Sequence, residues 1–134
     1  ISGLRQSSSI LEITNIHTDL FPKSKNIGVE EIDMFKLDYF FDTITKLDRK
    51  ILLKIDTQGY ELEILKGAKK IISIIDAILI EVSLVELYKN QPLLEEMLNH
   101  LKSLGFYIWS VDRAIGNNNT GRTYQLDIFF VKNH

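Results

Sequence analysis

The sequence predicts an α/β fold with a mainly parallel sheet and an antiparallel last strand. Three observations carry that expectation. Residues 51–56 and 77–82 are almost unbroken apolar runs, which suit strands covered on both faces. Each run is followed by a stretch whose apolar residues recur at helical spacing. Residues 106–111 and 125–131 then read as two strands with no helix between them, so they can pair antiparallel. The order strand, helix, strand, helix, strand, strand is the alternation of a sheet dressed with helices.

The elements follow in order. Residues 1–26 show little pattern: Ser7, Ser8 and Ser9 precede apolar Ile10, Leu11 and Ile13, and a polar loop begins at Pro22. Residues 28–35 suggest a strand with Val29, Ile32 and Met34 as its apolar members. Asp38 suits a helix N-cap, because its carboxylate can accept from unpaired backbone N–H groups. Around it Leu37, Phe40, Phe41, Ile44 and Leu47 predict a helix over 39–47. Residues 51–56 make a central strand. From Tyr60 the period changes. Ile64, Leu65, Ala68, Ile71, Ile72 and Ile75 form one helical stripe, with Glu63, Lys66, Lys69 and Lys70 facing away. Gly67 weakens this run by about 1 kcal/mol relative to Ala and marks close packing or a bend. Strand 77–82 comes next and ends near Glu81. Pro92 suits a first helical turn, Leu94, Met97, Leu98, Leu101 and Leu104 make the stripe, and Gly105 ends it. Strand 106–111 places Trp109 in the core. A polar loop over 112–124 leads to the last strand, 125–131.

The bulk properties exclude several function classes. A chain of 134 residues has one-domain length and can bury a core without cross-links. Sixteen basic against eighteen acidic residues leave a net charge of −2, which is no footprint for nucleic acid. The apolar runs are short and interrupted by charges, so no membrane span is expected. The absence of cysteine removes disulfides and thiolate metal sites, and it fits a reducing, cytoplasmic location.

One motif is a decoy. GNNNTGRT at 116–123 differs by one residue from a phosphate-binding loop, with Arg122 where a lysine is required. Such a loop works between a strand and a helix, whose N-terminus helps hold the phosphate. Here it leads into YQLDIFFV, so it reads as a hairpin tip. No G-x-G occurs among the seven glycines, so a glycine loop of the dinucleotide or adenosyl type is missing. His17, His100 and His134 are far apart in no ligand spacing, and no metal is expected.

Asp56 stands out within LLKIDTQGYELEILKGA, residues 52–68. In open parallel sheets ligands bind beyond the carboxyl ends of strands, and Asp56 sits at such an end. Gly59 would let the turn approach a ligand, and Glu61 falls in a first helical turn, where a carboxylate is favoured. The bland reading uses the same residues. Asp, Gly and Glu before a helix are ordinary turn formers and caps, and Lys54 can simply pair with Asp56. The residues alone leave both readings open.

The longer pattern is more specific. KIDTQGYELEILKGA, residues 54–68, resembles the hallmark of the FkbM family of S-adenosylmethionine-dependent methyltransferases. Other features agree in order: the Leu37-Asp38 pair, AILIEVS, LYKNQP with Tyr88, Gln91 and Pro92, the Gly105-Phe106 turn and QLDIFFV. The likeness spans about 29–131, and the serines at 7–9 look similar too. It implies a Rossmann-like class I methyltransferase fold, with 51–56 as strand four, 77–82 as strand five and the last pair as strands six and seven. Strand four lies at the topological switch point, so Asp56 would face the cleft between cofactor and substrate. The family's Asp-x-Gly-Ala-Asn type cofactor loop and the acidic residue after strand two have no counterpart in the sequence. The resemblance therefore implies that residues 1–134 form a single partial domain, the back portion of the fold. Its cofactor would be S-adenosylmethionine, with no identifiable cofactor-binding residues. Alone it would be inactive, and its exposed sheet edge would invite self-association.

The implied chemistry is O-methyl transfer to a hydroxyl of a sugar or natural-product-like small molecule. Such a reaction needs aligned reactants and benefits from a base that takes the hydroxyl proton. Asp56 is the first candidate for that base and Glu61 the second. Gln58, Gly59 and Glu81 are candidates for substrate binding. One alternative is a non-catalytic α/β interaction module derived from the same fold. Another is a receiver-like phosphoacceptor domain, which would need a paired acidic site at an earlier strand end and a later Lys-Pro step. Neither is visible.

Overall fold

A computed structural model describes residues 8–24, 28–47 and 49–132. The elements are α1 (Asn15–Leu20), α2 (Phe41–Ile44), β1 (Leu52–Ile55), α3 (Glu61–Lys66), β2 (Ala77–Ser83), α4 (Leu94–Ser103), β3 (Phe106–Gly116) and β4 (Thr123–Lys132). Short 3-10 turns occupy Pro22–Ser24, Leu37–Phe40 and Ile71–Ser73. No helix among the described residues is long and apolar enough to cross a membrane.

The four strands form one sheet in the order β1-β2-β4-β3. β1 and β2 run parallel, while β4 is antiparallel to both of its neighbours, β2 and β3. Two of the three pairings are thus antiparallel, which corrects the expectation of a mainly parallel sheet. The physical reason is the position of β4. It inserts between β2 and β3, so every contact it makes is antiparallel.

β1 was expected to be a central strand covered on both faces. Among the described residues it is an edge strand, with Leu52 and Lys54 exposed and only Ile55 buried. β2 is the buried strand. Ile78, Ile80 and Val82 point into the core, where Ile55, Leu65, Ile71, Ile75, Met97, Leu101, Phe106, Ile128 and Phe130 meet them. Each such side chain contributes about 1.5–3 kcal/mol by leaving water.

The stripe from Ile64 to Ile75 is buried as its period predicts, but its helix breaks. α3 ends at Lys66, where the Gly67 N–H bonds back to the Glu63 and Ile64 carbonyls. The chain resumes as the turn at Ile71–Ser73, whose free N–H groups are capped from a distance. Asp38 accepts from the Lys70 N–H at 2.9 and 3.0 Å and from the Ile71 N–H at 2.9 Å. Asp38 is therefore a cap, though for a different element from the one expected. Burial pushes its carboxyl up, but the N–H groups of Ile71 and Lys70 and the charges of Lys70 and Lys36 more than offset this and hold it low.

Three local expectations fail. Residues 28–35 form no strand, and Val29, Ile32, Met34 and Phe35 are exposed; Glu30, Glu31 and Asp33 break the apolar pattern that a paired strand would need. Trp109 is exposed, not core, because among the described residues β3 is an edge strand with a register break between Ile108 and Ser110. β3 also runs on to Gly116, so the polar loop shrinks to the tip of a β3–β4 hairpin.

Candidate active site

The parallel register explains how the site assembles. Ile55 pairs with Ile80, so the next residues, Asp56 and Glu81, stand side by side where β1 ends. The chain must then turn sharply into α3. It does so through two left-handed residues in succession, Gln58 (φ 56°) and Gly59 (φ 100°). A non-glycine residue there is uncommon, and such strain concentrates at functional turns.

Glu61 holds that turn. Its Oε1 accepts from the N–H of Thr57 at 3.1 Å, the N–H of Gly59 at 3.0 Å and the Thr57 hydroxyl at 3.3 Å. Glu61 is buried. Gly59 is buried as well. A Cβ placed on it would meet Tyr88 Cβ at 3.0 Å, Leu11 Cδ1 at 3.1 Å and Gln91 Cβ at 3.2 Å. The side of Gly59 on which a Cβ would stand is therefore packed against protein, while the turn also borders a smaller cavity of about 310 Å³ beside Leu11, Tyr60 and Pro92.

Gln58 bridges the two strand ends. Its Nε2 donates to Asp56 Oδ1 at 2.9 Å and to Glu81 Oε2 at 3.4 Å, and its Oε1 accepts from the Tyr88 hydroxyl at 2.6 Å. Its carbonyl oxygen accepts from the Ser9 hydroxyl at 2.5 Å. Asp56 is exposed, and its other oxygen lies 3.5 Å from Lys54 Nζ, the pairing expected from their shared strand face. Glu81 also accepts from Gln125 Nε2 at 2.7 Å. Burial pushes its carboxyl up to about 7. The charges of Asp56, Asp127 and Glu61 push the same way, and the Gln125 hydrogen bond opposes them.

Asp56 and Thr57 line a cleft of about 820 Å³ together with Ser9, Ile10, Ile32 and Met34. A second cavity of about 690 Å³ shares Ile10, Ile32, Met34 and Thr57 with it and runs on to Phe40 and Ile64. The first is thus a polar-ended cleft that continues into an apolar one. Of the five residues singled out from the sequence, only Asp56 lines this space. Gln58 and Glu81 stand directly behind it; Glu61 and Gly59 build the turn.

Several members of the site were missed as such. Ser9, Tyr88 and Gln125 touch Gln58 or Glu81, and Gln91 accepts from the N–H groups of Leu87 and Tyr88 at 2.6 and 2.7 Å. Tyr88 and Gln91 carried a signal, since LYKNQP belongs to the resemblance. Gln125 carried the same kind of signal, since QLDIFFV belongs to the resemblance too, but its contact with Glu81 depends on β4 pairing beside β2.

No group of His, Asp and Glu among the described residues is arranged to hold a metal ion. An adenosyl donor needs a glycine turn open to its backbone. The Gly59 turn is the glycine-bearing strand-to-helix turn at this site; Tyr88, Leu11 and Gln91 pack on the side a Cβ would take, and what it leaves open is a cavity of only about 310 Å³. The described residues therefore do not by themselves fit such a group.

The family model described as the methyltransferase FkbM domain matches residues 3–108, from before the first described residue into β3. No curated protein matches the chain. No solved structure matches it either.

Proposed function

The chain belongs to the FkbM methyltransferase family, and from that premise we propose that it takes part in methyl transfer to a hydroxyl of a small molecule. The observation that carries this reading is Asp56. It lies at the carboxyl end of β1, is solvent-exposed, and opens on a cleft large enough for a small acceptor. The methyl donor is of the S-adenosylmethionine type, as the family implies. β1 and β2 correspond to strands four and five of the family's fold, and β3 and β4 to strands six and seven.

Each residue then has a role. Asp56 accepts the proton of the acceptor hydroxyl or orients that hydroxyl. Gln58 holds one oxygen of Asp56 and leaves the other toward Lys54 and the cleft. Glu81 is kept off the cleft and anchors the other side of the Gln58 amide. Glu61 has a structural role, since its Oε1 is occupied by the turn. The apolar extension of the cleft suits an acceptor with a non-polar body, such as a natural product or a lipid-linked sugar.

The test uses the full-length protein, methyl-labelled S-adenosylmethionine and a small-molecule extract of the source cells. Label is expected in base-stable ether products. Label found only in protein would refute the small-molecule reading. One observation favours a second reading, a non-catalytic interaction module: the Gly59 turn is packed against Tyr88, Leu11 and Gln91 and borders only a small cavity. In that case the protein would transfer no label at all, and the edge of β1 left unpaired among the described residues would be the surface to probe for self-association.

A further inference from the structure

Behind the cleft, a line of buried polar side chains joins the α1 region to the Asp56–Glu81 pair. Ser24 Oγ lies 2.9 Å from His17 Nδ1 and 2.6 Å from the Phe21 carbonyl oxygen. His17 Nε2 lies 3.1 Å from the Tyr88 hydroxyl oxygen, which is 2.6 Å from Gln58 Oε1. His17 and Tyr88 are almost completely buried, and their rings tilt together at 4.9 Å. The segment is fastened in place. Thr14 caps α1, its N–H donates to the Leu87 carbonyl at 2.9 Å, and its hydroxyl donates to the Glu86 carbonyl at 2.8 Å.

Proton counting decides the direction of this line. Burial lowers the pKa of His17, which favours the neutral ring, with one proton, at neutral pH. If that proton is on Nδ1, Tyr88 must donate to Nε2. Two acceptors, the Tyr88 oxygen and Gln58 Oε1, would then face each other at 2.6 Å. Rotating the Gln58 amide gives no relief, because its oxygen would then face Asp56 and Glu81. If the proton is on Nε2, His17 donates to Tyr88 and Tyr88 donates to Gln58. The single Ser24 proton is then shared between Nδ1 and the Phe21 carbonyl, a three-centre arrangement that proteins tolerate.

We propose that His17 and Tyr88 are positioning residues: the Nε2–H tautomer of His17 fixes Tyr88 as a donor, and Tyr88 holds the Gln58 amide with its NH2 toward Asp56 and Glu81. The consequence for methyl transfer rests on the reading above. The tautomer and the amide orientation do not, and they are measured independently of activity.

The experiment is nitrogen-15 NMR on the full-length protein labelled at histidine and glutamine. In the unsubstituted protein the His17 Nε2 shift is expected to be that of a protonated ring nitrogen and Nδ1 that of an unprotonated one. In Tyr88→Phe the tautomer should move toward Nδ1–H, and the Gln58 side-chain protons should exchange roughly tenfold faster, as for loss of one hydrogen bond. His17→Gln, whose amide N–H can donate to Tyr88, should keep Gln58 exchange slow, while His17→Leu should speed it. An Nδ1–H tautomer in the unsubstituted protein would overturn the proposal without any variant having to fold. Unchanged Gln58 exchange in a folded Tyr88→Phe would overturn it too. Absence of methyl transfer would sink the functional reading and leave these results standing.

Discussion

Asp56 and Glu61 lie five residues apart in opposite surroundings. Asp56 is exposed on the cleft, whereas Glu61 is buried under three donors. Glu61→Ala leaves two turn N–H groups without their acceptor, and we predict a stability loss of about 2–3 kcal/mol in urea unfolding. Asp56→Ala should cost well under half of that. Equal losses would mean that the turn does not depend on Glu61. Glu81 adds a pH dependence. Its carboxyl is pushed up to about 7, so the folded state holds its proton more tightly than the unfolded chain does. Stability from this group is therefore complete at acid pH and falls as pH rises through about 7. Thermal midpoints measured from pH 5 to 8 should fall, and Glu81→Gln should flatten that fall. The shift of a partly solvated carboxyl is worth on the order of 1–2 kcal/mol here. At this scale the placement of Asp56 just past a strand end and of Glu61 at a helix start was legible, because both are local features. Their division of labour was not, because the same acidic residue serves as a cap or as a base depending on what surrounds it.

The strand-to-helix turn is the element that makes the site. Gly59 combines a φ of 100° with neighbours at 3.0 and 3.1 Å. We predict that Gly59→Ala costs about 2 kcal/mol or more, since strain and crowding act together. A neutral Ala, read by chemical unfolding, would show that the turn can relax. The stripe from Ile64 to Ile75 was legible as a buried face, yet the break at Gly67 was visible only as a weakness. What converts that weakness into an end is Asp38, 32 residues away in sequence from the Lys70 N–H that it caps. Strand β3 shows the opposite failure. Its run of Tyr107, Ile108, Trp109 and Val111 looks like core, and all four are exposed because no strand covers that edge among the described residues. Trp109 fluorescence should therefore be quenched freely by acrylamide. Strong protection at low protein concentration would contradict this placement.

At the level of the whole molecule, the two acidic strand ends meet because β1 and β2 are parallel neighbours, and Gln125 joins them because β4 lies beside β2. Periodicity identified the four strands but not their order, since neighbour choice depends on contacts distant in sequence. β2 and β4 are paired on both sides, so native-state hydrogen exchange should be slowest there and faster on β1 and β3. The family assignment ties this sheet to methyl transfer, and the claim at its centre is that Asp56 serves the reacting hydroxyl. The most direct test compares the full-length protein with its Asp56→Asn variant, using methyl-labelled S-adenosylmethionine and the extract that accepts label. A fall in turnover of about 100-fold or more, with circular dichroism and thermal midpoint unchanged, is the predicted result. Turnover within a few-fold of the unsubstituted enzyme would contradict the account and reduce Asp56 to the end of a strand.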